Sequence, residues 1–134
     1  MVPVATNYQH KKANPYLLPV NLYRRVIYTI KDYDRLKEEY NALLNESPAK
    51  QPVNTHGGNI SSQPTEDKAI RLALISDDIH AIDAALTMIP LEYRQGIINS
   101  IKYRTPYPDT AHWHTWQKWR QRYVWSVARK LKKI

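Results

Sequence analysis

The spacing of the apolar side chains is the tightest constraint on what this chain can fold into. Tyr23, Val26, Ile30, Tyr33, Lys37, Tyr40 and Leu44 follow one another at alternating steps of three and four, with Lys37 as the one polar interruption. Leu72, Ile75, Ile79, Ile82, Leu86 and Ile89 repeat the pattern. Steps of three and four gather side chains on one face of a helix, whereas a strand would scatter them to both sides. Only three glycines interrupt the 134 residues, and there is no cysteine. Disulfide staples and thiolate metal sites are therefore excluded, and the expected fold class is all-α.

Punctuation residues divide the pattern. A first helix is expected from Asn21, an N-cap candidate after Pro19, to Glu46-Ser47-Pro48, where the proline ring disfavours helix at the residue before it. Residues 45–64, rich in Asn, Ser, Pro, Gln and Gly, read as a flexible loop. Thr65 is a good N-cap for a second helix, with Glu66 and Asp67 placed well against its dipole. Pro90 ends that helix and opens a third running to about Tyr103. Thr105-Pro106-Tyr107-Pro108-Asp109 is a rigid turn, and a last helix runs from Thr110 or Ala111 to Lys132. The expected layout is a flexible arm over 1–20, a long helical hairpin over 21–89 and a helix-turn-helix-like pair over 90–134. Pairing of two copies through the heptad faces, as a homodimer, is the competing arrangement.

Charge narrows the range of functions. The formal net charge is +8. Through residue 101 the 11 bases are matched by 11 acids. Beyond it lie Lys102, Arg104, Lys118, Arg120, Arg122, Arg129, Lys130, Lys132 and Lys133, against Asp109 alone. Such asymmetry points to a polyanionic partner. No apolar run approaches the roughly 18–20 residues that span a bilayer, so a membrane is not among the expected partners.

The last helix carries the candidate site. Its expected apolar face is Trp113, Trp116, Val124, Val127 and Leu131, with Tyr123 beside it. The opposite face holds Thr115, Lys118, Arg122, Trp125 and Arg129. A helix just fits the major groove of duplex DNA, and its first turns point at base edges. His112, His114, Thr115, Gln117, Lys118, Gln121, Arg122 and Arg129 are the candidate DNA-binding residues. Arg and Lys pair with guanine, Gln with adenine, and Thr with phosphate or a thymine methyl. Trp113 and Trp116 read as core rather than stacking platforms, and Trp125 is the odd ring on the polar face. His112 and His114, two apart on a helix, point to different faces and lack the company a metal needs. Asp77 and Asp78 diverge by about 100° on a helix. There is no Gly-rich phosphate loop and no nucleophile elbow, so the chain reads as non-catalytic and without a cofactor.

The stretch from Asp83 to Ile98, with Ile89-Pro90 before a helix bearing Arg94 and Ile97-Ile98, resembles the start of sigma-factor region 4. The segment Thr115 to Leu131, with Trp119-Arg120-Gln121-Arg122 and Val127-Ala128-Arg129-Lys130-Leu131, is similar to the closing recognition helix. Together they resemble phage late-gene transcriptional activators of the RinA and ArpU type. That resemblance implies transcription regulation in a bacterial host's cytoplasm, promoter-region DNA binding and contact with RNA polymerase. The recognition positions would be His112, Thr115, Lys118, Gln121 and Arg122. One departure is plain: the Tyr103–Thr110 connection is too short and proline-rich for the extra helix that region 4 usually carries. The alternatives are a helical protein-interaction or assembly module, and a nucleic-acid binder without sequence preference. Outward-facing Gln117, Gln121 and Thr115 would favour sequence reading, and unsatisfied heptad faces would favour a protein partner.

Overall fold

The computed structural model describes residues 8–46 and 58–134, with side chains resuming at Thr65. Its helices are α1 (Val20–Lys31), α2 (Tyr33–Leu44), α3 (Gly58–Leu86), α4 (Leu91–Tyr103) and α5 (Trp113–Lys130), and no strand occurs among the described residues. The all-α expectation is met. None of these helices is long and apolar enough to cross a membrane.

The first expected helix is two. α1 starts behind Pro19, whose carbonyl takes the first helical bond from the Tyr23 amide at 2.9 Å. At Asp32 the backbone leaves helical geometry (φ −82°, ψ 1°), and its amide is shared between the carbonyls of Tyr28 and Thr29 at 3.0 and 3.1 Å. The helix resumes at once, with the Leu36 amide on the Asp32 carbonyl at 2.8 Å. The interruption splits the first apolar seam between two neighbours. α1 packs on α5 and α4, while α2 packs on α3. The Tyr33 hydroxyl donates to Asp83 at 2.7 Å, and Arg71 reaches Glu39 at 2.9 Å. These surface contacts orient α2 on α3 and each contributes at most about 1 kcal/mol.

The second seam begins earlier than expected. α3 is already helical from Gly58, seven residues ahead of Thr65, so the expected loop over 45–64 is shortened from its C-terminal side. Positions 47–57 of that loop lie outside the described residues, as do 1–7 of the expected arm. Ile75, Ile82 and Ile89 are buried as the periodicity predicts. So are Tyr23, Val26 and Ile30 of the first seam. Both heptad faces are therefore satisfied within one chain over most of their length.

α5 is the hub. It packs on α1, α3 and α4, and it buries Trp116, Arg120, Gln121, Tyr123, Val124, Ser126, Val127 and Ala128. Small residues make room for it: Ala81 and Ala85 of α3 are buried in the same cluster as Val127 and Ala128. The tightest fit is at Trp116, which is 1% exposed. The ring meets Tyr93 edge-on at 4.9 Å and stacks on Tyr107 at 5.6 Å. Its far edge lies on Gly96 of α4, where an added Cβ would stand 2.6 Å from Cζ3 and 2.8 Å from Cη2. Gly96 is thus the residue that lets α4 and α5 meet.

Alanine normally improves a helix over glycine by about 1 kcal/mol. At position 96 overpacking of a locked ring costs about 1–3 kcal/mol, which outweighs that gain. Gly96→Ala is expected to lower the thermal midpoint, and Trp116→Ala to destabilise by about 3–5 kcal/mol. An unchanged or raised midpoint for Gly96→Ala in a calorimetric scan would contradict the packing described.

Candidate nucleic-acid interface

The approach to α5 is set by a proline-framed turn. α4 ends at Arg104 in the left-handed region (φ 56°), which reverses the chain. Tyr107 then turns inward between Pro106 and Pro108 and stacks on Trp116. His112 is the N-cap of α5, its Nδ1 accepting from the His114 amide at 3.1 Å. The helix therefore begins at Trp113 rather than at Thr110 or Ala111. The rings of Trp113 and His114 stack at 3.9 Å, with His112 4.8 Å from His114. Trp113 is 48% exposed, so this ring is not core as the sequence implied.

The N-terminal arm is docked rather than free over its described part, residues 8–19. Gln9 clamps Leu18 with two bonds, accepting from its amide at 2.9 Å and donating to its carbonyl at 3.0 Å. Leu18 is buried in the core. Asn14 closes the loop between them, donating to the His10 carbonyl and accepting from the Tyr16 amide at 2.9 Å. The loop is then fixed to α5. The Gln121 amide nitrogen donates to Gln9 Oε1 at 2.9 Å and to the Tyr16 carbonyl at 2.7 Å. The Arg122 guanidinium lies between the rings of Tyr16 and Trp119, at 5.1 and 5.2 Å. Trp125 meets Tyr16 edge-on at 5.2 Å, and Arg129 sits over Trp125 at 5.3 Å. The odd tryptophan is thus a rung in a ladder of alternating cations and rings that holds the arm in place.

This docking redistributes the expected site. His112, His114, Lys118 and Arg129 are exposed, while Thr115, Gln117 and Arg122 are half-buried. Gln121 is buried under the arm, 8% exposed. The amide that was to read a base edge instead holds the chain's own backbone, and Gln117, Gln121 and Thr115 do not face outward together. The reason is physical: α5 is the core of the bundle, so only its first turns and one edge reach solvent.

Between the arm and the first half of α5 lies an open cleft of about 320 Å³. Tyr8, Tyr16 and Trp113 supply rings to its walls, and Lys118, Arg122, His10 and His114 supply nitrogen groups. Tyr23, Gln117 and Gln121 also line it, and no Asp or Glu among the described residues does.

Behind that wall sits Arg120, fully buried. Its Nη1 is 3.4 Å from the Tyr107 hydroxyl, and its Nε and Nη2 have no hydrogen-bond partner among the described residues. Tyr107 in turn donates to Gln117 Oε1. Burial pushes the Tyr107 and Tyr23 phenols up from their ordinary value, and the nearby Arg120 charge opposes that rise. Both phenols stay neutral at physiological pH, so neither neutralises the guanidinium. Sequence reasoning missed Tyr8, Tyr16, Tyr107 and Arg120. For Arg120 a signal existed: it stands four residues after Trp116 and four before Val124, which places a cation inside the apolar seam.

A buried guanidinium with unmade hydrogen bonds is costly, because it stays charged in proteins and loses its hydration. Arg120→Met keeps most of the volume and removes the charge. It is expected to raise stability by about 1 kcal/mol or more, read as a higher denaturant midpoint. A clear loss of stability would mean that the guanidinium is better compensated than its neighbours indicate.

Comparison of the chain with family models, with characterised proteins and with solved structures finds no match.

Proposed function

We propose that this protein binds DNA through the end of its bundle that holds the cleft, with the docked arm and the first turns of α5 as the contact surface. The observation that carries the reading is the cleft and its rim. Cationic and aromatic side chains converge there from two separate segments of chain, with no carboxylate among them. Lys11 and Lys12 add exposed charge on the arm. Contacts of this kind go to phosphates, which position a protein on nucleic acid without reading sequence. The middle of α5 is core, so the helix cannot lie lengthwise in a major groove. In its first turns His112, His114 and Lys118 are the exposed polar groups. Binding with little sequence preference fits this arrangement better than base-by-base readout. Transcription regulation and contact with RNA polymerase rest on the motif resemblance alone and form the narrower version of the proposal.

Fluorescence anisotropy with labelled DNA, titrated across salt, tests the reading. If Lys11, Lys12 and Lys118 each neutralise a phosphate, log affinity should fall against log salt with a slope of roughly −2.7 on duplex. Replacing these three lysines by alanine should weaken binding at least tenfold and flatten the slope. Replacing Lys130, Lys132 and Lys133 should do little. The reverse ranking would move the interface to the far end of α5, and no binding at low salt would sink the proposal.

A second reading, an assembly module, is favoured by one observation. Ile70 and Leu74 of α3 are 60% and 62% exposed one turn apart, and Leu44 at the end of α2 is 53% exposed. They lie at one end of the α2–α3 pair, where Lys68 and Glu46 approach to 3.9 Å. Sedimentation of the wild type and Leu74→Glu separates the two readings. A concentration-dependent dimer that Leu74→Glu dissolves supports assembly, and a monomer in both leaves DNA binding as the better account.

A further inference from the structure

We infer that the cleft between the arm and α5 is a seat for one unpaired nucleobase bearing a phosphate, so that the protein engages single-stranded nucleic acid in preference to duplex. The inference rests on the nucleic-acid reading above and specifies its substrate.

Two amides on the wall of the cleft, Gln117 and Gln121, are oriented by hydrogen bonds from behind it. Gln121 directs its Nε2 at two acceptors, Gln9 Oε1 and the Tyr16 carbonyl, at 2.9 and 2.7 Å. That Gln9 oxygen is itself fixed as an acceptor by the Leu18 amide at 2.9 Å. The atom of the Gln121 amide that remains is therefore its carbonyl oxygen. Gln117 is set the other way. The Tyr107 hydroxyl donates to Gln117 Oε1, while its oxygen takes Arg120 Nη1 at 3.4 Å. What remains on Gln117 is its N–H₂. One donor and one acceptor, a helical turn apart on α5, thus line the cleft in fixed roles. Gln117 is oriented through Tyr107, and Gln121 by the arm.

Every base edge offers a donor beside an acceptor, and every base has a face on which a ring can stack. The ring that suits stacking is Trp113, 48% exposed, with one face on His114 and the other open to a base, and Tyr8, 41% exposed, also lines the cleft. Lys118 and His114 stand at the same mouth for the phosphate. A volume of about 320 Å³ is at the lower end of sites that hold small molecules. It suits one nucleotide and is too small for a base pair. In duplex DNA the base edges are paired and the faces stacked, so neither feature of the cleft could be used.

The test uses the full chain and tryptophan fluorescence. Titrants are a 12-nucleotide single strand, the same strand as duplex, adenosine 5′-monophosphate, and ribose 5-phosphate as the phosphate-only control. Single strand is expected to bind at least tenfold tighter than duplex. Adenosine monophosphate should quench fluorescence and compete with the strand, and ribose 5-phosphate should not. Gln117→Glu keeps the acceptor for Tyr107 and removes the donor. It should cost at least tenfold in strand affinity, and the uncharged Gln117→Met, which also lacks the donor, should lose as much. Trp113→Leu, at an exposed position, should abolish the quench with its thermal midpoint unchanged, and it serves if Gln117→Glu misfolds. Equal binding of strand and duplex, indifferent to both variants, overturns the base seat and leaves DNA binding standing. Quenching by adenosine monophosphate that Gln117→Glu abolishes, with no strand or duplex bound, keeps the seat and overturns the DNA-binding reading. No response to any titrant overturns both.

Discussion

The structure depends on the burial of α5 along most of its circumference. A bundle of this size needs one central helix against which the others can all bury a face, and here that helix also carries much of the chain's positive charge. Trp116, Tyr123, Val124, Val127 and Ala128 supply the core contacts. Arg120, Arg122 and Lys118 share the same helix, and they must either be swallowed by the bundle or be covered at its surface. Placing Gly96 against Trp116 is what allows α4 to close on the helix at all. Once it closes, Arg120 is sealed inside. The arm and the proline-framed turn are then the two segments left to cover the remaining edge.

Aromatic composition explains how the cations are accommodated. The chain contains no phenylalanine, but ten tyrosines and four tryptophans. Each of these rings therefore presents an apolar body together with a hydroxyl or an indole N–H. Around α5 they substitute for the carboxylates that would ordinarily neutralise buried or half-buried bases. Arg122 is sandwiched by Tyr16 and Trp119, Arg129 covers Trp125, and Lys118 lies 4.8 Å from Trp119. Ring faces attract cations without cancelling their charge. The arm can thus be fastened to the helix while the surface stays positive, which a set of ion pairs would not permit.

Much of the helical content was legible in the sequence, because a buried helical face leaves a period. Ile75, Ile82 and Ile89 are core as expected, and Leu91–Tyr103 has the expected bounds. The interruption at Asp32 was not legible. No proline or glycine marks it, and both halves keep the same three-four spacing, so only the presence of two different partners requires the bend. The arm was illegible for a related reason. Its anchors are Gln9, Asn14 and Tyr16, polar residues that bind backbone groups distant in sequence, and such contacts have no periodicity. Of the candidate site, the exposed His112, His114 and Lys118 were found by position on the helix. Gln121 was assigned outward because polarity was taken as exposure, whereas its amide satisfies the arm's carbonyl. Arg120 was missed for the same reason: its charge was taken as exposure, although its place in the apolar seam, four residues from Trp116 and from Val124, marks it as buried.

The positive end of the molecule follows from where the acids are engaged. Glu39 is engaged by Arg71 and Arg35, Asp32 by Arg35, Glu46 by Lys68 and Asp83 by Tyr33, all on or between α1, α2 and α3. Asp34 reaches across to Lys102 at the end of α4. These contacts are individually weak, but they fix the acids on the α2–α3 side of the bundle. The cleft between the arm and the first turns of α5 has no Asp or Glu among its described lining, so Lys118 and Arg122 keep their charge there. On the proposed function, a polyanion would be drawn to that surface by this uncancelled charge before any contact forms. The rings and fixed amides of the cleft then lie in its path. On that proposal attraction and recognition fall to different residues, the exposed Lys11, Lys12 and Lys118 and the hydrogen-bonded Gln117 and Gln121. The docked arm is the element that brings the two together, since it carries Lys11 and Lys12 and also sets the orientation of Gln121.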